Sequence, residues 1–240
     1  MDMFDERLIV ALDFHDMDKV RALVENLGEC VSYYKVGMEL FYSVGAEVIT
    51  YLKQQNKEVF LDLKLHDIPN TAAQGLCSLA RLGVSILNVH ASGSYTMMKV
   101  TMDQLRQESA RAGVPCPKLI AVTVLTSIDQ ADWTAIGQTT NIQEQVVRLA
   151  KLTKQAGLDG VVASPQEAQA IRQACGEGFM IVTPGVRPAG AAINDQSRIA
   201  IPMQALKNGA SHLVIGRPIT AAKDPHAAVL AIIKEMELVR

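Results

Sequence analysis

Leu8-Ile9-Val10-Ala11-Leu12 is apolar at all five positions. A strand with one wet face alternates apolar and polar side chains. A strand covered on both faces does not, so this run predicts a parallel sheet buried beneath helices. Working outward, similar short runs recur at Tyr33–Val36, Val59–Leu63, Ser85–Val89, Leu119–Val124, Leu158–Val162, Met180–Val182 and His212–Ile215. These make eight predicted strands, with ends about 29 residues apart on average. One strand, one helix and two short loops need roughly 30. Helix-period apolar positions fill the gaps at Val44–Leu52, Ala72–Leu82, Met97–Ala110, Ile142–Ala156 and Ala227–Val239.

Local signals agree with this alternation. Ser164-Pro165-Gln166-Glu167 offers an N-cap serine, proline at the first helical position and glutamate at the third, and Asp224-Pro225 repeats the cap and proline. Gly83, Gly157 and Gly209 each stand between a helix and the next strand, where a left-handed stop is needed. No linker interrupts the pattern over 240 residues. The expectation is a single α/β domain over residues 1–240, a (β/α)8 TIM barrel. An open doubly wound sheet more often has about five to seven strands and offers a GxGxxG turn after the first. Here Asp13-Phe14-His15 stands at that place.

Composition narrows the function classes. Apolar residues make up 49% and charged residues 20%, as in soluble globular proteins. Net charge is −2 with no basic stripe, so neither nucleic acid nor an anionic membrane is an expected partner. Cys30, Cys77, Cys116 and Cys175 are too dispersed for a metal knuckle or a disulfide scaffold; they read as small core residues in a reducing compartment. The acidic start, MDMFDERLIVALDF, is unlike a signal peptide, and no apolar run is long enough to span a bilayer. The chain reads as cytoplasmic.

Barrel active sites lie at the C-terminal ends of the strands, and polar residues gather there. Strand one ends at Asp13, strand two carries Lys35, and strand three runs into Asp62-Leu63-Lys64-Leu65-His66-Asp67. Strand four ends at Asn88-Val89-His90, strand five at Thr123 to Ser127, strand seven at Thr183-Pro184-Gly185-Val186-Arg187 and strand eight at Gly216-Arg217-Pro218. Asp62 and Lys64, two apart on a strand, share a face and can enter the mouth together. With Lys35 and Asp67 they would make two ammoniums and two carboxylates, an array that is either a compensated network or a site. Gly216-Arg217 follows strand eight, where barrels commonly hold phosphate. The glycine- and proline-punctuated run from Pro184 to Asn194 is long enough for a lid, with Arg187 and Gln196 able to supply polar contacts on closure. His66 and His90 lack metal-site spacing. His15, His212 and His226 read as structural or surface residues, and Trp133 as packing under a loop.

The segment Asp62-Leu63-Lys64-Leu65-His66-Asp67-Ile68-Pro69-Asn70-Thr71 matches the DxKxxDIPNT signature of orotidine 5′-phosphate decarboxylases of the bacterial kind. The resemblance extends through Val10–Asp13, Tyr34–Gly37, Asn88–Ala91, Ala121–Ser127, Thr183–Pro188, Asp195-Gln196 and Val214–Pro218 in the expected order. It implies removal of CO2 from C6 of orotidine 5′-monophosphate to give uridine 5′-monophosphate, the last step of de novo pyrimidine synthesis. It also implies no cofactor, no metal, and a homodimer with sites at the interface, Asp67 and Thr71 serving the partner subunit's site.

The chemistry of the residues is compatible. Decarboxylation without a cofactor leaves a carbanion-like centre, so the protein must stabilise developing charge and supply a proton. Lys64, held between carboxylates, is the expected donor, and Asp62 would stand against the substrate carboxylate. Lys35 and the partner's Asp67 would complete the charge array. Asp13 and Lys35 are placed for ribose hydroxyls, Thr126 and Ser127 for the pyrimidine edge, and Arg217, Gly216 and Gln196 for the phosphate, with Arg187 supporting the lid. One rival is a related Mg2+-dependent sugar-phosphate decarboxylase or epimerase. The related decarboxylase needs an acidic residue where Lys35 stands. A non-catalytic nucleotide-binding barrel is the other.

Overall fold

The structure, a computed structural model, describes residues 4–188 and 200–239. The chain runs through β1 (Leu8–Ala11), α1 (Met17–Leu27), β2 (Tyr33–Gly37), α2 (Met38–Val44), α3 (Glu47–Gln54), β3 (Glu58–Leu65) and α4 (Pro69–Ala80). There follow β4 (Ile86–His90), α5 (Tyr95–Ala112), β5 (Lys118–Val122), α6 (Gln130–Ala135), α7 (Ile142–Gln155), β6 (Gly160–Val162) and α8 (Ala168–Cys175). The last units are β7 (Met180–Thr183), α9 (Pro202–Lys207), β8 (His212–Ile215), α10 (Arg217–Thr220) and α11 (Pro225–Met236). All eight strands are parallel and pair in chain order, and β8 closes on β1 through Val214 opposite Ile9. This is the expected (β/α)8 barrel.

Closure explains why the strands do not alternate apolar with polar. One face of each strand fills the barrel: Ile9, Ala11, Phe60, Ile86, Ile120, Val182 and Val214 pack together inside it. The other face meets the helices, where Val10, Tyr34, Leu61, Leu87 and Leu213 join Leu23, Leu52, Leu76, Leu105, Leu149 and Ile232 in a second, larger core. Each large side chain so buried contributes on the order of 1.5–3 kcal/mol. Inside the barrel at β6 only glycine fits, because a Cβ on Gly160 would fall 2.2 Å from the Met180 carbonyl oxygen.

Several boundaries differ from expectation for local reasons. Val44–Leu52 is two helices, because Gly45 (φ 66°) ends α2 by donating its N–H to the Phe41 carbonyl at 2.8 Å. β5 stops at Val122, two residues early, and β6 begins at Gly160 rather than Leu158. The Ser164 box forms its contacts, with Ser164 N–H donating to the Glu167 carboxylate at 2.9 Å, yet regular helix starts only at Ala168. At Asp224 the cap is as expected, its carboxylate accepting the Ala227 N–H at 2.9 Å. Gly83, Gly157 and Gly209 all have positive φ. Cys30, Cys77 and Cys175 are buried, but Cys116 is exposed and is no core residue. Trp133 is buried on α6, His15 is exposed, and His226 lies 3.2 Å from the Cys30 sulfur. Among the described residues no helix is long and apolar enough to cross a membrane.

Candidate active site

The inward face of the strands becomes polar towards their C-terminal ends. Lys35 on β2 pairs with Phe60 on β3, and two residues further along β3 stands Asp62. The Lys35 Nζ is 3.1 Å from Asp13 Oδ1 and 3.5 Å from Asp62 Oδ2. Lys64 Nζ meets Asp62 Oδ1 at 2.8 Å, and Asn88 Nδ2 donates to the same oxygen at 2.7 Å. Asp62 is thus held on both oxygens by two ammoniums and an amide.

Burial makes this arrangement electrostatically demanding. The side chains of Asp62 and Lys35 are only 11% and 12% exposed. Burial alone pushes the Asp62 carboxyl up, but Lys35 and Lys64 outweigh it and hold it below the usual carboxylate range. Burial likewise pushes Lys35 down, and Asp62 and Asp13 together carry it above the ordinary lysine value. Both groups are therefore charged across the physiological range.

Lys64 reaches the mouth by an irregular route. Along β3 the step from Leu61 to Leu65 faces only the step from Leu87 to Val89 on β4, so the ladder shifts there. Lys64 sits in this bulge at φ 52°, a left-handed conformation that side chains other than glycine seldom adopt. Its backbone N–H finds a substitute for a ladder partner in Asn88 Oδ1, at 2.8 Å. Simple alternation along a strand therefore does not account for the placement of Lys64.

Beside the charges a cavity of about 180 Å3 opens, lined by charged Lys35, Asp62 and Lys64 together with apolar Phe60, Val122, Pro184 and Val214. Thr126 is among the lining residues, whereas Ser127 is exposed and outside the lining. Asp13 stands next to Gly216: a Cβ there would lie 3.4 Å from Asp13 Oδ2. Arg217 is exposed at the start of α10. Arg187 is buried, with its backbone N–H donating to the Ala200 carbonyl at 3.0 Å. Gln196, and with it most of the expected lid, lies outside the described residues.

Asp67 and Thr71 do not join this cluster. Both are exposed, the Asp67 carboxylate accepts the Ile68 N–H at 2.7 Å, and it enters no ion pair among the described residues. The second carboxylate of the array within one chain is Asp13 rather than Asp67, and Lys64 contacts one carboxylate rather than two. His66 and His90 lie with ring centroids 5.4 Å apart, and burial, with His66 and Lys64 nearby, pushes the His90 imidazole below its usual value. Among the described residues no group of three His, Cys, Asp or Glu side chains is arranged to hold a metal ion.

The sequence reading placed Asn88 near the mouth without assigning it work. Its signal was a polar side chain two residues beyond Ile86, on the strand face that lines the barrel.

The profile of the orotidine 5′-phosphate decarboxylase / HUMPS family matches residues 6–232, which include every element of this site. The chain belongs to that family. A protein named orotidine 5′-phosphate decarboxylase in Moorella thermoacetica is 50% identical over 236 residues, 98% of this chain and 94% of that one. A protein of the same name in Nitrosococcus oceani is 47% identical, over 98% of this chain and 99% of its own. Among solved structures, the orotidine 5′-phosphate decarboxylase of Lactobacillus acidophilus superposes with a TM-score of 0.83 at 42% identity, covering 97% of this chain and 99% of that one.

Proposed function

We infer that this chain decarboxylates orotidine 5′-monophosphate to uridine 5′-monophosphate and CO2, the last step of de novo pyrimidine synthesis. Beyond family membership, the observation that carries the reading is Asp62, ionised and clasped between Lys35 and Lys64 in the lining of a cavity whose other residues are mostly apolar. A planar pyrimidine suits that cavity, and Thr126 suits its polar edge. From there Lys35, Asp13, Gly216 and Arg217 lead round the mouth, towards ribose hydroxyls and then phosphate. A guanidinium fork is well matched to a phosphate dianion.

In the reaction the bond from C6 to the carboxylate breaks heterolytically and CO2 leaves. The electron pair stays on C6, and a proton from the Lys64 ammonium completes uridine monophosphate. The lysine then regains its proton from solvent. Asp62 stands against the substrate carboxylate, so the like-charge contact disfavours the bound substrate and vanishes as CO2 departs. The ammoniums of Lys64 and Lys35 face the charge that develops at C6. Lys35 also fills the space between Asp13 and Asp62 that a divalent cation would need, which supports the metal-free reading over a Mg2+-dependent sugar-phosphate enzyme.

The same reading makes the working unit a homodimer of single-domain barrels. Asp67 and Thr71 would reach the partner subunit's site. Their exposure supports this, as does the exposure of Met38, Tyr42, Ile68 and Tyr95 on the segments that follow β2, β3 and β4. The free thiols of all four cysteines suit the cytoplasm. Loss of orotidine monophosphate absorbance on adding purified protein, with and without EDTA, tests the activity. Equal turnover in both is expected. No turnover overturns the reading, and turnover abolished by EDTA moves it to the Mg2+-dependent class.

A further inference from the structure

Asn88 is 1% exposed, and its side-chain amide is divided between the two ends of the Asp62-Leu63-Lys64 segment. Nδ2 donates to Asp62 Oδ1 at 2.7 Å, while Oδ1 accepts the backbone N–H of Lys64 at 2.8 Å. The second bond falls where the β3–β4 ladder slips and Lys64 adopts φ 52°. Two things at this point need outside support: a left-handed non-glycine backbone, and the orientation of a carboxylate shared between two ammoniums. One rigid, buried amide supplies both.

We propose that Asn88 is a positioning residue that sets the Asp62 carboxylate and the Lys64 ammonium in mutual register for proton delivery. This rests on the roles inferred above for Asp62 and Lys64. Asn88 is not among the residues lining the cavity. It acts through Asp62 and Lys64: without its amide the bulge loses its ladder substitute, Lys64 can relax toward an ordinary strand conformation, and its Nζ moves off the line to C6.

Asparagine is the residue type this place requires. It joins one donor and one acceptor on a short planar group, with both bonds charge-assisted or strand-like. Aspartate at 88 can reproduce the pattern only while protonated, its O–H donating to Asp62 and its carbonyl accepting from Lys64. Once ionised it opposes Asp62. The ionisable neighbours are Asp62, Lys64 and His66 on and after β3, Lys35 on β2, Asp13 after β1 and His90 on β4 itself. On the β5 side Asn88 faces Ile120, and none of Ile120, Ala121 and Val122 titrates.

The test compares wild type, Asn88→Ala and Asn88→Asp in steady-state decarboxylation from pH 5 to 9, with uridine monophosphate binding and thermal melting alongside. For Asn88→Ala the expected result is kcat lower by about 100-fold, the scale of a small misplacement of reacting groups, with uridine monophosphate affinity within a few-fold of wild type. For Asn88→Asp, activity relative to wild type should be highest at the acid end and fall as pH rises, a dependence absent from Asn88→Ala. If Asn88→Ala fails to fold, the pH profile of the near-isosteric Asn88→Asp decides alone. A kcat within threefold of wild type for Asn88→Ala overturns the proposal. So does a flat relative profile for Asn88→Asp. An inactive wild type overturns the reading of the site, and this inference with it; an active wild type beside an unimpaired Asn88→Ala overturns this inference only.

Discussion

Gly37 leaves open the space that the Lys35 ammonium occupies: a Cβ at residue 37 lies 2.9 Å from Lys35 Nζ. Its φ of −93° suits any residue, so backbone freedom is not what glycine provides here. The absent methyl lets Lys35 bend towards Asp13 and Asp62. Because the clashing atom is the end of a flexible chain, Gly37→Ala should fold normally while its Lys35 amine is displaced. The expected outcome is kcat/KM lower by about 10- to 100-fold with Tm within a few degrees of wild type. Kinetics and melting check it, and unchanged kcat/KM would show that the exact seat of Lys35 does not matter.

Lys64 and Arg217 lie at opposite ends of the inferred ligand path, so their loss should separate chemistry from binding. Lys64→Ala removes the inferred proton donor, and turnover should vanish while uridine monophosphate still binds through the inferred ribose and phosphate contacts. Arg217→Ala removes a charge-assisted fork, so ligand affinity should fall by about 1–4 kcal/mol while saturated enzyme still reacts. Titration calorimetry beside turnover distinguishes the two. Near-normal turnover in Lys64→Ala would move the donor role to Lys35.

The parts of this site that follow strand geometry were legible before any coordinates. Strands covered on both faces announce themselves by unbroken apolar runs, and Lys35 and Asp62 fall on the inward face that ordinary alternation gives them. What could not be read is the departure from that geometry. Lysine carries no signal for positive φ, so the bulge at Lys64 was invisible, and with it the clasp by Asn88. Asp67 was grouped with Lys64 by proximity in sequence, but two residues past the end of the bulged strand it is exposed and apart from the cluster of its own chain. In a similar way Gly45 divides α2 from α3 within what periodicity alone presents as one helix.

Asp62 ties the pH dependence of stability to the same cluster. Its pKa is depressed in the folded chain, so its contribution is present above the unfolded value near 3.9 and is lost as pH falls through the lower folded value. Lys35 has the opposite sign: its pKa is raised, so its contribution holds below about 10.4 and is lost as pH rises through the folded value. Asp62→Asn leaves Lys64 without its carboxylate and Lys35 with Asp13 alone. At pH 7 it should cost about 1–3 kcal/mol, or a Tm lower by roughly 2–10 °C. The gap from wild type should narrow as the pH falls below about 4. Melting curves across pH check this, and a gap that widens in acid contradicts the sign of the Asp62 shift.

The exposed carboxylate of Asp67 makes the strongest demand on the inferred assembly. If it completes the charge array of the partner subunit, each site draws Lys64 from one chain and Asp67 from the other. Lys64→Ala and Asp67→Ala homodimers should then both be inactive. A hybrid of the two contains one site with both substitutions and one with neither. Random exchange places half of all chains in hybrids, each with one intact site, so a one-to-one mixture should recover about one quarter of wild-type activity. Neither variant should recover alone. Subunit exchange is followed independently by mass differences between labelled chains, so that activity is read only when hybrids are present. Hybrids without activity would overturn the shared site, and an active Asp67→Ala homodimer would place Asp67 outside the site and leave Asp13, Lys35, Asp62 and Lys64 as the complete array.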